Sequence, residues 1–276
     1  MTTERTISRV AGRAHDAIRP LTLEPSPSKW AEGSVLISLG DTKVLVTASV
    51  ERRVPPFLVG SGRGWLTAEY AMLPRATSSR SPREVSKGRP TGRSAEIQRL
   101  IGRSLRAAID LTLMPEKTLT LDCDVLQADG GTRTTSITGA YVATALALGK
   151  LYLAGDLERW PLRDPVAAIS VGLVGGTALL DLDSAEDQSA EADVNVVGTA
   201  SGELVEIQGT GETRSFRRDE LDRLIDLANG GIAQLVAAQR TCLQPLLAEV
   251  ELVKARGGRR RENAKPKDER NLWGRP

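Results

Sequence analysis

Apolar and polar residues alternate over Ser34–Leu39 and again over Lys43–Val50. This period-two pattern predicts two half-buried strands, and Gly40-Asp41 between them predicts a hairpin turn. The segment WLTAEYAML at 65–73 has the same strand character. From Ser94 the period changes. Ile97, Ile101, Leu105 and Ala108 recur at helical spacing, with Leu100 and Ile109 beside them, so a helix is predicted with Ser94 as its N-cap. Leu119, Leu121, Cys123 and Val125 restore the strand period, and a small-residue helix is predicted after Arg133. Strands follow at Val166–Val174, Ala178–Leu182, Ala192–Thr199 and Glu203–Gln208, then a long helix over about Asp219–Glu249. Hairpins followed by helices, twice over, predict an α+β chain with mixed sheets and helices on one face of each.

Where the strand ending at Val125 meets the next helix, the chain reads QADGGTRTTSITG. A two-glycine turn is followed by Thr132, Arg133, Thr134, Thr135 and Ser136 crowding the helix start. A guanidinium, several hydroxyls and bare helix-start N–H groups describe a site for a tetrahedral oxyanion such as phosphate. Taken alone, a glycine pair at a strand end is as readily a plain turn. Arg93, at a second helix start, supplies a second guanidinium for the same dianion.

Composition narrows the chemistry. His15 is the only histidine, and Cys123 and Cys242 lack CxxC spacing and sit among apolar residues, which predicts reduced, buried thiols. A Ser–His–Asp triad, a Cys–His pair and a histidine-rich zinc site are all disfavoured. What remains is Arg, Lys, Asp, Glu, hydroxyls and a hard metal. No apolar run approaches the roughly 20 residues of a membrane span, and the N-terminus lacks the apolar stretch of a signal peptide. A cytoplasmic chain without a membrane partner is expected.

Charge then separates the chain into parts. The net charge is only +2, yet Lys254–Pro276 carries nine basic residues against three acidic ones, and Arg75–Arg93 six against one. Two polybasic segments on an otherwise acidic body fit a nucleic-acid binder. The first lies in a long loop rich in Pro, Gly, Ser and Arg. The second is predicted to be a disordered basic tail, 254–276, beyond a folded unit of residues 1–253. With four Trp, three Tyr and two Phe in the chain, phosphate-directed grip is expected over aromatic base-stacking.

Between Asp181 and Asp193 stand six carboxylates in thirteen residues. They repel one another unless a cation or basic side chains offset them. Asp183, Asp187 and Asp193 can meet around one ion, and an all-oxygen set favours Mg²⁺ or Mn²⁺; a solvated acidic loop is the other reading. A phosphate pocket, a divalent-metal cluster and a basic path for a polynucleotide together suit one reaction, attack of inorganic phosphate on a terminal phosphodiester.

The segments AEGSVLISLGDTKVLVTASV, GWLTAEYAMLPRAT, GRSAEIQRLIGRSLRAAIDL, LDCDVLQADGGTRTTSITGAYVA, AAISVGL, EDQSAEADVNVV and LVEIQGTGE resemble, in order, those of the ribonuclease PH family, phosphorolytic 3′→5′ exoribonucleases and tRNA nucleotidyltransferases. The resemblance runs from about Gly12 to Leu247. It implies a fold like domain 2 of ribosomal protein S5 and a ring-shaped homohexamer built as a trimer of dimers. It implies phosphate bound by Arg93 and by Gly131, Thr132 and Arg133. Asp187 and Asp193 match the family's essential carboxylates, as Mg²⁺ ligands or acid catalysts. Arg75, Arg80 and Arg83 fall in its arginine-bearing loop, linked to RNA handling and assembly. The implied substrates are tRNA precursors and other RNA 3′ ends, with inorganic phosphate as co-substrate and nucleoside diphosphates as products. The residues leave two further readings: an inactive RNA-binding ring subunit, and a hydrolytic nuclease using the same carboxylates.

Overall fold

A computed structural model describes Arg9 and residues 12–256; the predicted basic tail therefore lies, after Arg256, outside the described residues. Two sheets carry the chain. The first has the order β1-β2-β3-β5-β4, formed by Leu21–Pro25, Gly33–Leu39, Thr42–Glu51, Thr118–Gln127 and Trp65–Met72 in that order. Its strands pair antiparallel except β4 with β5, which run parallel because the chain crosses back through helix α1 (Gly92–Ala107) between them. The second sheet, β7-β6-β8-β9, is antiparallel throughout and comprises Thr177–Leu180, Val166–Val174, Ala192–Thr199 and Leu204–Gly211.

Alternation along β2, β3 and β5 sends Val35, Ile37, Val44, Val46, Leu119, Leu121 and Val125 to one face, all inaccessible to solvent. That face meets Ile97, Ile101 and Leu105 of α1 and the small residues of α2 (Thr132–Ala154). Thirteen of the 23 residues of α2 are Ala, Gly, Thr or Ser, and where these face the sheet the helix lies close on the strands. A Cβ on Gly33 would sit 2.1 Å from the Ala143 carbonyl oxygen. By length and composition α2 could span a membrane, but most of its apolar stretch is buried inside the protein; it is a core helix. Helix α4 (Arg218–Ala255) covers the second sheet, packing Leu224, Ala228, Ile232 and Leu235 onto Ile169, Val171, Val194 and Val196. Each Leu, Ile or Val side chain among them contributes about 1.5–3 kcal/mol on burial. Since α2 touches both sheets, its N-terminus emerges at their junction.

Several boundaries differ from the sequence reading. The cap of α1 is Thr91, whose side chain accepts from the Ser94 amide at 3.2 Å, so Ser94 is the third helical residue and Arg93 lies within the first turn. Ser94 instead donates its hydroxyl to Glu84 Oε1 at 2.7 Å, tying the arginine-rich loop to the helix start. Strand β7 stops at Leu180 because Asp181 takes a left-handed backbone, φ +56°. Helix α4 continues to Ala255 and so takes in the first two residues of the predicted tail. The short helix α3 (Ser184–Ser189) and strand β1 carry too few apolar residues to announce themselves. Cys123 is buried on the core face of β5 and Cys242 is half-buried on α4; neither is in a disulfide.

Candidate active site

The connection from β5 to α2 turns on two consecutive glycines, Gly130 at φ +73° and Gly131 at φ +64°. The first has no room for a side chain: a Cβ there would lie 2.5 Å from the Leu182 carbonyl oxygen. The second is the N-cap of α2 and, being glycine, places no side chain over the first-turn amides. A long, buried helix thus opens with free N–H donors and its positive dipole end toward the cleft. The turn is fixed from below. Thr42 donates to the Gly130 carbonyl at 2.6 Å and accepts from the Asp129 amide at 2.9 Å, and Arg19 donates to the Asp129 carbonyl. Thr132 is held through its hydroxyl by the buried Tyr70 hydroxyl at 2.9 Å.

Around this turn lies a cleft of about 600 Å³ lined by Arg93, Gly131, Thr132, Arg133, Asp187 and Asp193, among others. All four residues expected to bind phosphate and both expected carboxylates converge there. Arg75, Arg80 and Arg83 do not line it; they are exposed on the loop between β4 and α1, whose Thr77 does reach the cleft wall.

The acidic run is resolved by partners that the sequence did not reveal. Arg9 closes a bidentate fork on Glu186 at 2.7 and 2.8 Å, and Arg13 reaches the same carboxylate at 3.0 Å. Arg19 forks onto Asp181 at 2.7 and 3.0 Å. Asp183 caps α3, accepting from the amides of Ala185 and Glu186, and so turns away from the expected metal cluster. Glu191 takes a 2.5 Å bond from Arg214. Four of the six carboxylates are thereby neutralised or used as caps, which leaves Asp187 and Asp193 facing the cleft.

Those two are uncomfortable as anions. Burial pushes the Asp187 carboxyl above its ordinary value, against the pull of Arg93 and Arg133. Burial and the neighbouring Asp187 push Asp193 up to about 6. Asp193 Oδ2 accepts from Asn195 at 3.3 Å, but Oδ1 is buried without a hydrogen-bond partner among the described residues. An orphaned carboxylate oxygen beside a second carboxylate fits a hard divalent cation. No group of three or more acidic, histidine or cysteine ligands gathers among the described residues, so further ligands would be water and substrate phosphate, as is usual for Mg²⁺. Asn195 was legible in principle, standing two residues from Asp193 on one strand face. Gln208, which contacts Arg133, is announced only by the alternation of β9.

Comparison with known proteins identifies the family. Residues 17–148 match the 3′ exoribonuclease family, domain 1, and residues 164–231 match domain 2 of that family. Ribonuclease PH of Moorella thermoacetica is 54% identical over 242 residues, covering 88% of this chain and 97% of the relative. Among solved structures, rice (Oryza sativa) Rrp46 superposes with a TM-score of 0.69 at 20% identity, covering 85% of this chain and all of that one. A chain of the Archaeoglobus fulgidus exosome with RNA bound to the active site gives 0.69 at 24% identity, covering 83% and 92%. At such identities these two establish the fold alone.

Proposed function

This chain belongs to the 3′ exoribonuclease family, and from that premise we infer that it is a phosphate-dependent exoribonuclease and tRNA nucleotidyltransferase of the ribonuclease PH type. One observation carries the reading: two arginines, a helix start without a side-chain cap and two carboxylates with no ion pair among the described residues share one cleft. Arg93, Arg133 and the amides after Gly131 hold inorganic phosphate, and Thr132 adds a hydroxyl. Charge-assisted bonds of this kind contribute roughly 1.5–3 kcal/mol each. Held there, the dianion needs no histidine to activate it. An oxygen of the phosphate attacks the phosphorus of the 3′-terminal linkage, and the bond from that phosphorus to the penultimate 3′-oxygen breaks. The proton of the attacking hydrogenphosphate ends on the departing 3′-oxygen. The products are a nucleoside diphosphate and an RNA one residue shorter, and excess diphosphate drives the reverse addition.

Asp187 and Asp193 would hold Mg²⁺ or Mn²⁺, which supplies neutralisation of the charge that gathers on the reacting phosphates. Arg75, Arg80 and Arg83, exposed on the loop whose Thr77 reaches the cleft wall, are assigned to the RNA backbone, a grip that weakens as salt rises. tRNA precursors, and structured rRNA ends, are the proposed substrates, with a cytoplasmic location and a homohexameric trimer of dimers as the working form. The inactive-subunit reading is less supported, because every residue the chemistry asks for is in the cleft. The test is a time course on a tRNA bearing extra 3′ nucleotides, with Mg²⁺, with and without phosphate. Shortening only with phosphate supports the reading; shortening without it to monophosphates indicates a hydrolase.

A further inference from the structure

Arg133 enters the cleft with one end already engaged. Its Nη1 donates to Gln208 Oε1 at 3.0 Å and lies 3.6 Å from Glu96 Oε2. Gln208 cannot turn its amide over. Its Nε2 donates to Glu96 Oε1 at 2.9 Å and to Glu206 Oε1 at 3.1 Å. Glu206 is gripped in turn by Arg103, through Nε at 2.9 Å and Nη2 at 2.6 Å. A flipped amide would set its oxygen against two carboxylates and its NH₂ against a guanidinium. The amide oxygen therefore faces Arg133.

We infer that Gln208 is the positioning residue for the Arg133 guanidinium and that Glu96 sets how strongly that guanidinium attracts phosphate. The inference rests on Arg133 being a phosphate ligand. A guanidinium is a rigid planar fork, so anchoring Nη1 fixes the plane in which Nε and Nη2 meet an anion. This is the only side-chain hydrogen bond Arg133 makes among the described residues, so Nε and Nη2 stay available. Glu96 acts in the opposite sense. Its carboxylate offsets part of the charge on Arg133 and repels an arriving dianion, across a short distance in a half-buried setting. Arg93 and Glu96 lie one turn apart on α1. One helix thus brings an attracting and a moderating charge to the same anion. On the second sheet Gln208 is the register partner of Asn195. Neighbouring amides orient the two halves of the site, Asn195 on Asp193 and Gln208 on Arg133.

The two roles call for opposite effects, which a mere strut between α1 and β9 would not produce. Steady-state phosphorolysis at varied phosphate and saturating RNA is measured for Gln208→Ala, Glu96→Gln and Arg133→Ala in the full chain, with melting curves for each. The expected result is a phosphate KM raised at least fivefold by Gln208→Ala and lowered at least twofold by the isosteric Glu96→Gln, with kcat moving less than KM in both. A wild-type phosphate KM in Gln208→Ala, or a raised one in Glu96→Gln, overturns the inference. So does a loss of thermal stability in both with KM unchanged. If Arg133→Ala raises KM in that event, only the positioning role has failed; if it leaves KM unchanged, the assignment of Arg133 to phosphate has failed with it.

Discussion

The Arg19 guanidinium meets the Asp181 carboxylate edge-on, at 2.7 and 3.0 Å, with both side chains almost wholly buried. Arg19 also donates to the carbonyl of Asp129. One side chain therefore ties the phosphate turn to the strand end that leads into the carboxylate-bearing segment. Replacing Arg19 by Ala leaves Asp181 charged and 1% exposed, with only the residue-19 amide at 2.7 Å and Arg13 at 3.5 Å to offset it. Breaking a buried pair costs about 3–5 kcal/mol, and these remaining partners put the loss at the lower end of that range. Urea denaturation should show a loss of that size. Arg53→Ala, which removes an exposed partner of Glu51, should show no resolvable change.

Gly130→Ala tests the turn itself. The added methyl would need a left-handed backbone, about 1–2 kcal/mol for an L residue, and would press on the Leu182 carbonyl at 2.5 Å. The expected outcome is a destabilised protein with a sharply weakened response to phosphate, read by denaturation and by phosphate titration of activity. A fully active, wild-type-stable variant would contradict the close approach of β7's end to the turn.

Asp193 gives a pH signature. Its folded-state value, pushed up to about 6 by burial and by Asp187, lies above that of an unfolded aspartate, so folding favours its protonated form. Without divalent metal, this group therefore takes stability away as pH rises from about 4 to about 6, and the loss levels off above. Asp193→Asn should escape that loss. At pH 8 it should be more stable than the wild type by up to about 3 kcal/mol, with the gain gone near pH 4, while phosphorolysis is abolished. Chemical denaturation at the two pH values checks the sign. Equal gain at both would show that the carboxylate is not strained.

Period-two spacing made most of the strands legible and helical spacing made α1 legible, because each buries one face against the core. Helix α2, buried nearly all round, was legible as a small-residue run after the glycine turn, and α4 as a long helix. The glycine pair and Arg133 were legible as a phosphate turn because that chemistry is local in sequence. What escaped was non-local. Six clustered carboxylates could be read as a metal cluster or a solvated loop, and nothing nearby indicated that Arg9, Arg13 and Arg19, some 160–180 residues away, would neutralise Asp181 and Glu186. Asp183 looked like a ligand because its capping role depends on α3, a helix of six residues with little apolar pattern. The Ser94 cap was misplaced because Thr91 and Ser94 both carry a hydroxyl, and only the backbone decides which one caps.

The exposed arginine loop makes a salt-dependent prediction separate from chemistry. Replacing Arg75, Arg80 and Arg83 together by Ala should weaken RNA binding and flatten its dependence on salt, with a slope change of up to about 3 on a log–log plot, while the phosphate KM stays near wild type. Filter binding over a range of KCl concentrations measures it. An unchanged slope would remove these arginines from the RNA path.

The most direct measurement follows oxygen. The protein is given an RNA with a free 3′ end, Mg²⁺ and inorganic phosphate labelled with ¹⁸O, and the released nucleotides are analysed by mass spectrometry. Attack by phosphate held at Arg93 and Arg133 predicts nucleoside diphosphates carrying the label in their terminal phosphoryl group, and none from Asp193→Asn. Unlabelled monophosphates as the product would contradict the account.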